Sequence, residues 1–328
     1  MSGDTQKYVK LSFNKVDDLL SVRNSLKEII EKGKENITKK EEENNVFMQD
    51  AEARKDEDIL SKIIDIREYD VVYYNRVCID NEIRVSYWYE IYLEDSHIRN
   101  IEHLKDKLDK PDLRIFTFDI ETTKAELKFP DARIDRIMMI SYMVDDKGYL
   151  ITNREVVAED IDDFGYAPAP GYEGHFEVFN EPNEESLLKK FFKHIREVNP
   201  FVFVTFNGDF FDWPFIETRT NIHGMSLEHE IGIVAKRNRL DVAYYGRFAT
   251  HLDCMYWVKR DAYLPQGSHG LKKVTAAKLG YQPVELDPEK MLLFAAKQPR
   301  DLATYAVSDV LATYNLYYKM IHDFIFAL

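Results

Sequence analysis

LRIFTFDIE (residues 113–121) is an apolar stretch that ends in two acids. Phe116, Phe118 and Ile120 alternate with Ile115, Thr117, Asp119 and Glu121, and in a strand such alternation sends successive side chains to opposite faces. Asp119 and Glu121 therefore leave a predicted strand on the same side. Two like charges at that spacing repel, and low dielectric worsens the repulsion, so the pair is tolerable at an exposed sheet end or around divalent cations. Taken alone, Asp-x-Glu reads as a strand end with solvated acids.

Working outward, RIMMISYMV (136–144) and YLITNREVV (149–157) predict two further strands of the same sheet. Residues 158–182, acidic and with Pro and Gly, are expected to form a loop. Asn183 is placed to cap a helix with Leu187, Leu188, Phe191, Phe192, Ile195 and Val198 on its apolar face, ended by Asn199-Pro200. FVFVTF (201–206) is a continuous apolar run, as in a strand buried on both faces. Asp212 follows its carboxyl end, where an open α/β sheet presents its ligand crevice, and Pro214 suits the first turn of a helix. Asp212 reads as that helix's N-cap, as a metal ligand, or as both. Ser268 and Gly280 bracket a basic helix, Asp287-Pro288 opens another, and a last helix runs from about Arg300 to the end. Three strands, a helix, a strand and more helices give an α/β class, in the order of a ribonuclease-H-like fold with a mixed sheet flanked by helices.

Residues 1–110 predict a smaller α+β domain ahead of this 111–328 domain. YVKLSFN (8–14) reads as a strand, residues 17–30 as a helix, and the charged segment 31–58 as a solvated, disordered connector. RVCIDNEIRVSYWYEIYL (76–93) reads as a β-hairpin turning at Asp80-Asn81. Cys78 and Cys254 are the only cysteines, which argues against a disulfide framework or a cysteine-based metal site and fits a reducing compartment. The start MSGDTQKYVK has no signal-peptide core, and no run reaches the roughly 20 apolar residues of a membrane span, so no membrane partner is expected.

A third acid-bearing element is LATYAVSDVLATY (302–314), where Tyr305 and Asp309 share a helix face. An isolated pair of this kind also suits a buried tyrosine satisfied by a nearby acid. Asp119, Glu121, Asp212 and Asp309 together form the ligand set expected of two magnesium ions about 3.5–4 Å apart. The chemistry suited to that set is in-line attack of water on a phosphodiester, with Tyr305 orienting the water.

FDIETTKAELKFPDARIDRIMMISYM (118–143), TFNGDFFDWPF (205–215) and TYAVSDVLATY (304–314) resemble the three exonuclease motifs of the family B replicative DNA polymerases. VKLSFNKVDDLLSVR, CMYWVKRDAYLPQGSHGLKKV and KLGYQPVELDPE agree as well, so the resemblance spans nearly everything but the connector. It implies a 3′→5′ proofreading exonuclease on a ribonuclease-H-like fold, working in the nucleus on the single-stranded 3′ terminus of a DNA primer. It places two divalent cations, Mg2+ or Mn2+, on Asp119, Glu121, Asp212 and Asp309, with Tyr305 as the motif tyrosine. It also implies polymerase domains and accessory subunits as partners in the full-length protein. Nothing before Leu328 resembles a polymerase palm, fingers or thumb, so no polymerase activity is expected of this chain. Residues 233–250 depart from the family and are expected to form a different loop, and Val72 stands where the family suggests proline.

The net charge of −14 argues against a nucleic-acid partner only if it is evenly spread. It is not. Residues 236–278 hold nine lysines and arginines against three aspartates, while 155–185 hold ten acids and no lysine or arginine. Candidate DNA contacts are Asn207, Phe211, Lys259, Arg260, Lys272 and Lys273. Two other readings stay open: a non-catalytic ribonuclease-H-like scaffold, and a stand-alone nuclease acting on RNA.

Overall fold

The computed structural model describes residues 7–43, 60, 63–85, 87–237, 242–261, 264 and 267–325. The chain divides into two compact units, Met1–Leu108 and Asp109–Leu328.

In the first unit, residues 7–13 are irregular rather than the expected strand. Helix α1 (Val16–Glu43) runs on through the first part of the expected connector 31–58, since Lys and Glu are good helix formers; residues 44–58 lie outside the described residues. The expected hairpin at 76–93 is also corrected. Tyr73–Asp80 is helix α2, where Arg76 pairs with Asp80 one turn on and Asn81 Nδ2 donates to the Val77 carbonyl at 2.8 Å. The ribbon comes later, as antiparallel β1 (Tyr89–Glu94) and β2 (His97–His103). Its turn is Asp95-Ser96, both at positive φ (48° and 63°), the backbone that matches strand twist in two-residue hairpins.

The second unit is built on seven strands: β3 (Ile115–Thr122), β4 (Ile137–Val144), β5 (Lys147–Asn153), β6 (Phe164–Ala169), β7 (Tyr172–Glu181), β8 (Val202–Thr205) and, after a separate ribbon, β11 (Thr250–Asp253). Their spatial order is β11-β8-β3-β4-β5-β7-β6. β8 lies parallel to β3 and β11, β4 is antiparallel to β3 and β5, and β7 runs parallel to β5. The mixed sheet flanked by helices is the predicted fold.

Two connections differ from expectation. Residues 158–182 contain the β6–β7 hairpin, turning at Gly171 (φ 83°), because Phe164 and Phe176 are buried on the sheet while the acids point outward. Residues 233–250 hold an antiparallel ribbon, β9 (Ile233–Arg237) and β10 (Val242–Gly246), with 238–241 outside the described residues.

Helix α3 (Glu184–Val198) starts as expected, with Asn183 Oδ1 accepting the Ser186 N–H at 2.8 Å. Leu187, Leu188, Phe191 and Phe192 are fully buried against the Phe116–Phe118–Ile120 face of β3, each stabilising the fold by roughly 1.5–3 kcal/mol. Helices α4 (Asp212–Ile222) and α5 (Leu227–Ile231) join that layer. After the short α6 (Cys254–Val258), α7 (Leu271–Leu279) and α8 (Met291–Lys297) lead to α9 (Pro299–Met320) and α10 (His322–Ile325). α9 covers the opposite sheet face, packing Leu302, Ala303, Ala306 and Val310 on Met139, Met143 and Leu150. The odd-numbered acids of β3 face this second layer.

Candidate functional site

β3 outruns its neighbour. β8 pairs with it through Ile115, Phe116 and Thr117 and ends at Thr205, so among the described residues β3 beyond residue 117 has no strand on that side. The first turn of α4 fills the gap. Asp212 Oδ1 accepts the Ile120 N–H at 3.2 Å, supplying the acceptor that a longer β8 would have offered. Asp212 is the first helical residue and Phe211 the cap, so the N-cap reading of Asp212 is corrected.

From the other layer, α9 delivers Asp309 and Tyr305. The helix is pinned to β4 by the Ser141 hydroxyl, which donates to the Ala306 carbonyl at 2.9 Å. Carboxylate oxygens of Asp119, Glu121 and Asp309 all lie within 4.8 Å of one another. Asp212 stands outside that trio, yet near enough that its charge is the largest like-charge influence on Asp119.

Crowding and burial act together on these groups. Burial, then Asp212, Glu121 and Asp309, pushes the Asp119 carboxyl well above the usual carboxylate range; burial and Asp309 do the same to Glu121. Burial raises Asp212 to about 7 against the pull of the Ile120 N–H, and raises Asp309 to about 6 against the pull of Lys272. Burial and the surrounding carboxylates hold Tyr305 far above its ordinary value, so its hydroxyl stays a neutral donor. Asp309 Oδ1 is buried with no hydrogen-bond partner, an arrangement that costs free energy unless something else binds there. Clustered hard oxygens, one of them orphaned, suit a divalent cation with oxygen preference.

Lys272 is the cation of this pocket. Its ammonium lies 3.9 Å from Asp309 Oδ1 and 4.3 Å from the centre of the Tyr305 ring, and it donates to the Val284 carbonyl at 2.5 Å. It lowers the proton affinity of Asp119, Glu121 and Asp309 alike.

Residues 64–274 match the model for the exonuclease domain of DNA polymerase family B. The chain belongs to the family B DNA polymerases. It is 51% identical over 341 residues to the DNA polymerase epsilon catalytic subunit of Debaryomyces hansenii, covering 99% of this chain. It is 47% identical over 328 residues to the corresponding protein of Arabidopsis thaliana, covering all of this chain, and 48% identical over 340 residues to that of Aspergillus fumigatus, covering 99%. The chain spans about 15% of the length of each of these relatives. A family B exonuclease domain is a nuclease domain, and its acidic cluster is compatible with divalent cations. Tyr305 and Asp309 lie on α9, beyond the matched residues.

The remaining sequence-predicted residues fall in three places. Asn207 adopts a left-handed backbone (φ 67°), and its carbonyl accepts the N–H groups of Phe210 and Phe211. It holds the loop through its backbone carbonyl. Phe211 is partly buried, with ring centres 5.7 Å from both Phe129 and Phe215. Its neighbours Phe129 and Phe210 are 68% and 70% exposed. Lys259, Arg260 and Lys273 are exposed, whereas Lys272 turns inward to the acids.

Sequence reasoning overlooked Asp253. At the end of β11 it accepts the Asn207 N–H at 2.7 Å, the Asp209 N–H at 3.2 Å and the Met255 N–H at 2.9 Å, and so fixes the loop that carries Asp212. Asp209 in turn accepts the Tyr244 N–H at 2.7 Å and lies 3.4 Å from His251. The available signal was an acid closing a short strand pattern, THLD (250–253), hidden in the basic flank. Among the described residues no helix is long and apolar enough to cross a membrane.

Proposed function

We propose that this domain is a 3′→5′ exodeoxyribonuclease that proofreads primer ends in the nucleus, as part of a DNA polymerase epsilon catalytic subunit. One observation carries the reading: three carboxylates from β3 and α9 share a 4.8 Å pocket, one with an orphaned oxygen, beside a tyrosine held neutral by burial. Asp119, Glu121 and Asp309, with Asp212 flanking them, would hold two divalent cations, Mg2+ or Mn2+. When bound, the cations supply a nucleophilic water and stabilise the leaving oxygen of a phosphodiester.

The chain's own residues do the rest. Tyr305 offers a neutral O–H from one side of the pocket and orients the attacking water. Glu121, the acid nearer the carboxyl end of β3, accepts a proton from that water when ionised. Lys272 offsets the carboxylate charge and faces the incoming phosphate. The exposed Phe129 and Phe210, with Phe211 behind them, present ring faces on which the bases of an unpaired 3′ terminus stack. Lys259, Arg260 and Lys273 provide a phosphate-contacting flank. The rest of a polymerase and its accessory subunits are the proposed partners.

The test is shortening of 5′-labelled strands, single-stranded and mismatched-duplex DNA beside a matched RNA, with Mg2+. Single-nucleotide release from the 3′ end of DNA is expected, lost in Asp119→Ala/Glu121→Ala with the circular dichroism spectrum retained. Undiminished digestion by that double variant overturns the site. Preference for the RNA strand overturns the substrate.

A further inference from the structure

Lys272, the cation of this pocket, is held by a segment that packs Tyr281 and Leu286 on the core but has little backbone hydrogen bonding of its own. Lys272 donates to the carbonyl of Val284 at 2.5 Å. Residues 282–287 belong to no helix or strand. Between Tyr281 and Leu286, the bond from the Val284 N–H to Ser308 Oγ, 2.9 Å long, is the only one made by a backbone N–H among the described residues. Ser308 is fully buried on α9, one residue before Asp309, and its hydroxyl also receives the Tyr166 hydroxyl at 3.1 Å. Ser308 touches none of the acids' carboxylates in this arrangement. It reaches the pocket through Val284.

We propose that Ser308 is a positioning residue of the site: by anchoring Val284 it holds the Lys272 ammonium against Asp309 and the Tyr305 ring. The inference rests on the nuclease reading for its kinetic consequence, but not for its structural one. A lysine side chain regains rotamer freedom when its acceptor is lost. Asp309 alone, at 3.9 Å, is beyond hydrogen-bond distance and does not replace the carbonyl. Both ends of the relay start from the same helix: α9 sets Asp309 directly and sets the lysine facing it through Ser308. A single rigid element thereby fixes an acid and its countercharge together.

The experiment is amine labelling with an N-hydroxysuccinimide acetate at limiting reagent, read by peptide mass spectrometry on the whole chain. Ser308→Ala is expected to raise Lys272 labelling several-fold while Lys278, on the same helix α7 and paired with Asp261, stays unchanged. Ser308→Cys, near-isosteric and a poor acceptor, carries the same expectation should the alanine variant fold badly. Tyr166→Phe leaves the Val284 bond in place and is expected to label like wild type. In Mg2+-dependent digestion of single-stranded DNA, Ser308→Ala lowers kcat about tenfold with KM little changed, the scale of a misplaced group. In a Lys272→Met background it lowers kcat no further. Equal Lys272 labelling in wild type and both Ser308 variants overturns the proposal, as does a full additional loss on top of Lys272→Met or the same effect from Tyr166→Phe. If the wild-type protein digests no DNA, the nuclease reading fails and the labelling result still decides the role of Ser308.

Discussion

Asp119 and Glu121 are individually unfavourable for the fold. Each is pressed by burial and by neighbouring carboxylates toward its protonated form, a strain that is relieved when a cation or a proton arrives. Neutral isosteres remove it. In cation-free buffer at pH 8, Asp119→Asn/Glu121→Gln should melt at a higher temperature than wild type, since the neutral side chains no longer oppose burial and one another. The same variant should show no rise in melting temperature on adding Mg2+. A lower cation-free melting temperature would mean that the acids stabilise the fold and that the crowding argument is wrong. Asp253 is the opposite kind of acid, because it accepts three backbone N–H bonds. Asp253→Ala leaves those donors buried or nearly so, and a loss of about 3 kcal/mol in chemical denaturation is expected at roughly 1 kcal/mol per donor.

Between elements, a buried polar joint ties α3, α4 and β4 together on the sheet face away from Asp119 and Glu121. Glu184, 1% exposed at the start of α3, accepts the Ile137 N–H of β4 at 2.7 Å and Arg219 Nε of α4 at 2.9 Å, and His223 Nε2 lies 2.9 Å from its other oxygen. Burial works to raise its pKa, but Arg219, His223 and the Ile137 N–H outweigh it and hold it low. Arg219 also donates to the Ala132 carbonyl at 3.1 Å, tying down the segment that follows β3. Arg219→Met strands a buried carboxylate and should cost about 3–5 kcal/mol in urea unfolding, with Glu184→Gln/Arg219→Met recovering much of the loss. Equal stability of the two would show that no charge is left uncompensated.

The same scale explains what was legible in the sequence. β3, β4, α3 and β8 follow from periodicity because their burial is one-sided or complete, and hydrophobic patterning records burial. The Tyr73–Asp80 helix was misread because Val77 and Ile79 are β-branched while the side-chain bonds that favour the helix, Arg76 to Asp80 and Asn81 to Val77, leave no periodic trace. The β6–β7 hairpin was hidden by exposed acids around two buried phenylalanines. The meeting of Asp119, Glu121 and Asp309 was readable from motif and spacing. Asp253, Ser308 and the inward turn of Lys272 were not, since each acts through a backbone group 12 or more residues away in sequence.

At the scale of the whole molecule, a net charge of −14 includes a pocket of crowded acids whose ionisation burial opposes. Asp309 and Asp212 are raised from 3.8 to about 6 and about 7, so the folded chain binds more protons than the unfolded one between those values. Stability then falls as pH rises through that window, the reverse of an ordinary ion-paired carboxylate. Below about pH 4 both states are protonated and the effect is absent; above about 7 it is complete. On the proposed reading, a divalent cation would hold the same groups ionised in the folded state and offset the loss, with stabilisation growing as RT ln(1 + [L]/Kd). The stabilisation given by 10 mM Mg2+ should therefore be small at pH 5 and several degrees at pH 8, on the order of 1–3 kcal/mol if Kd lies near 1 mM or below. Melting curves at the two pH values, with and without Mg2+, measure it. Other groups titrate over the same range, so the decisive quantity is the difference between wild type and Asp212→Asn/Asp309→Asn, in which the widening with pH should disappear. Persistence of the full Mg2+ effect in that variant would place the cation elsewhere in the molecule. Its disappearance would tie the charge of the whole chain to the chemistry of the pocket between β3 and α9.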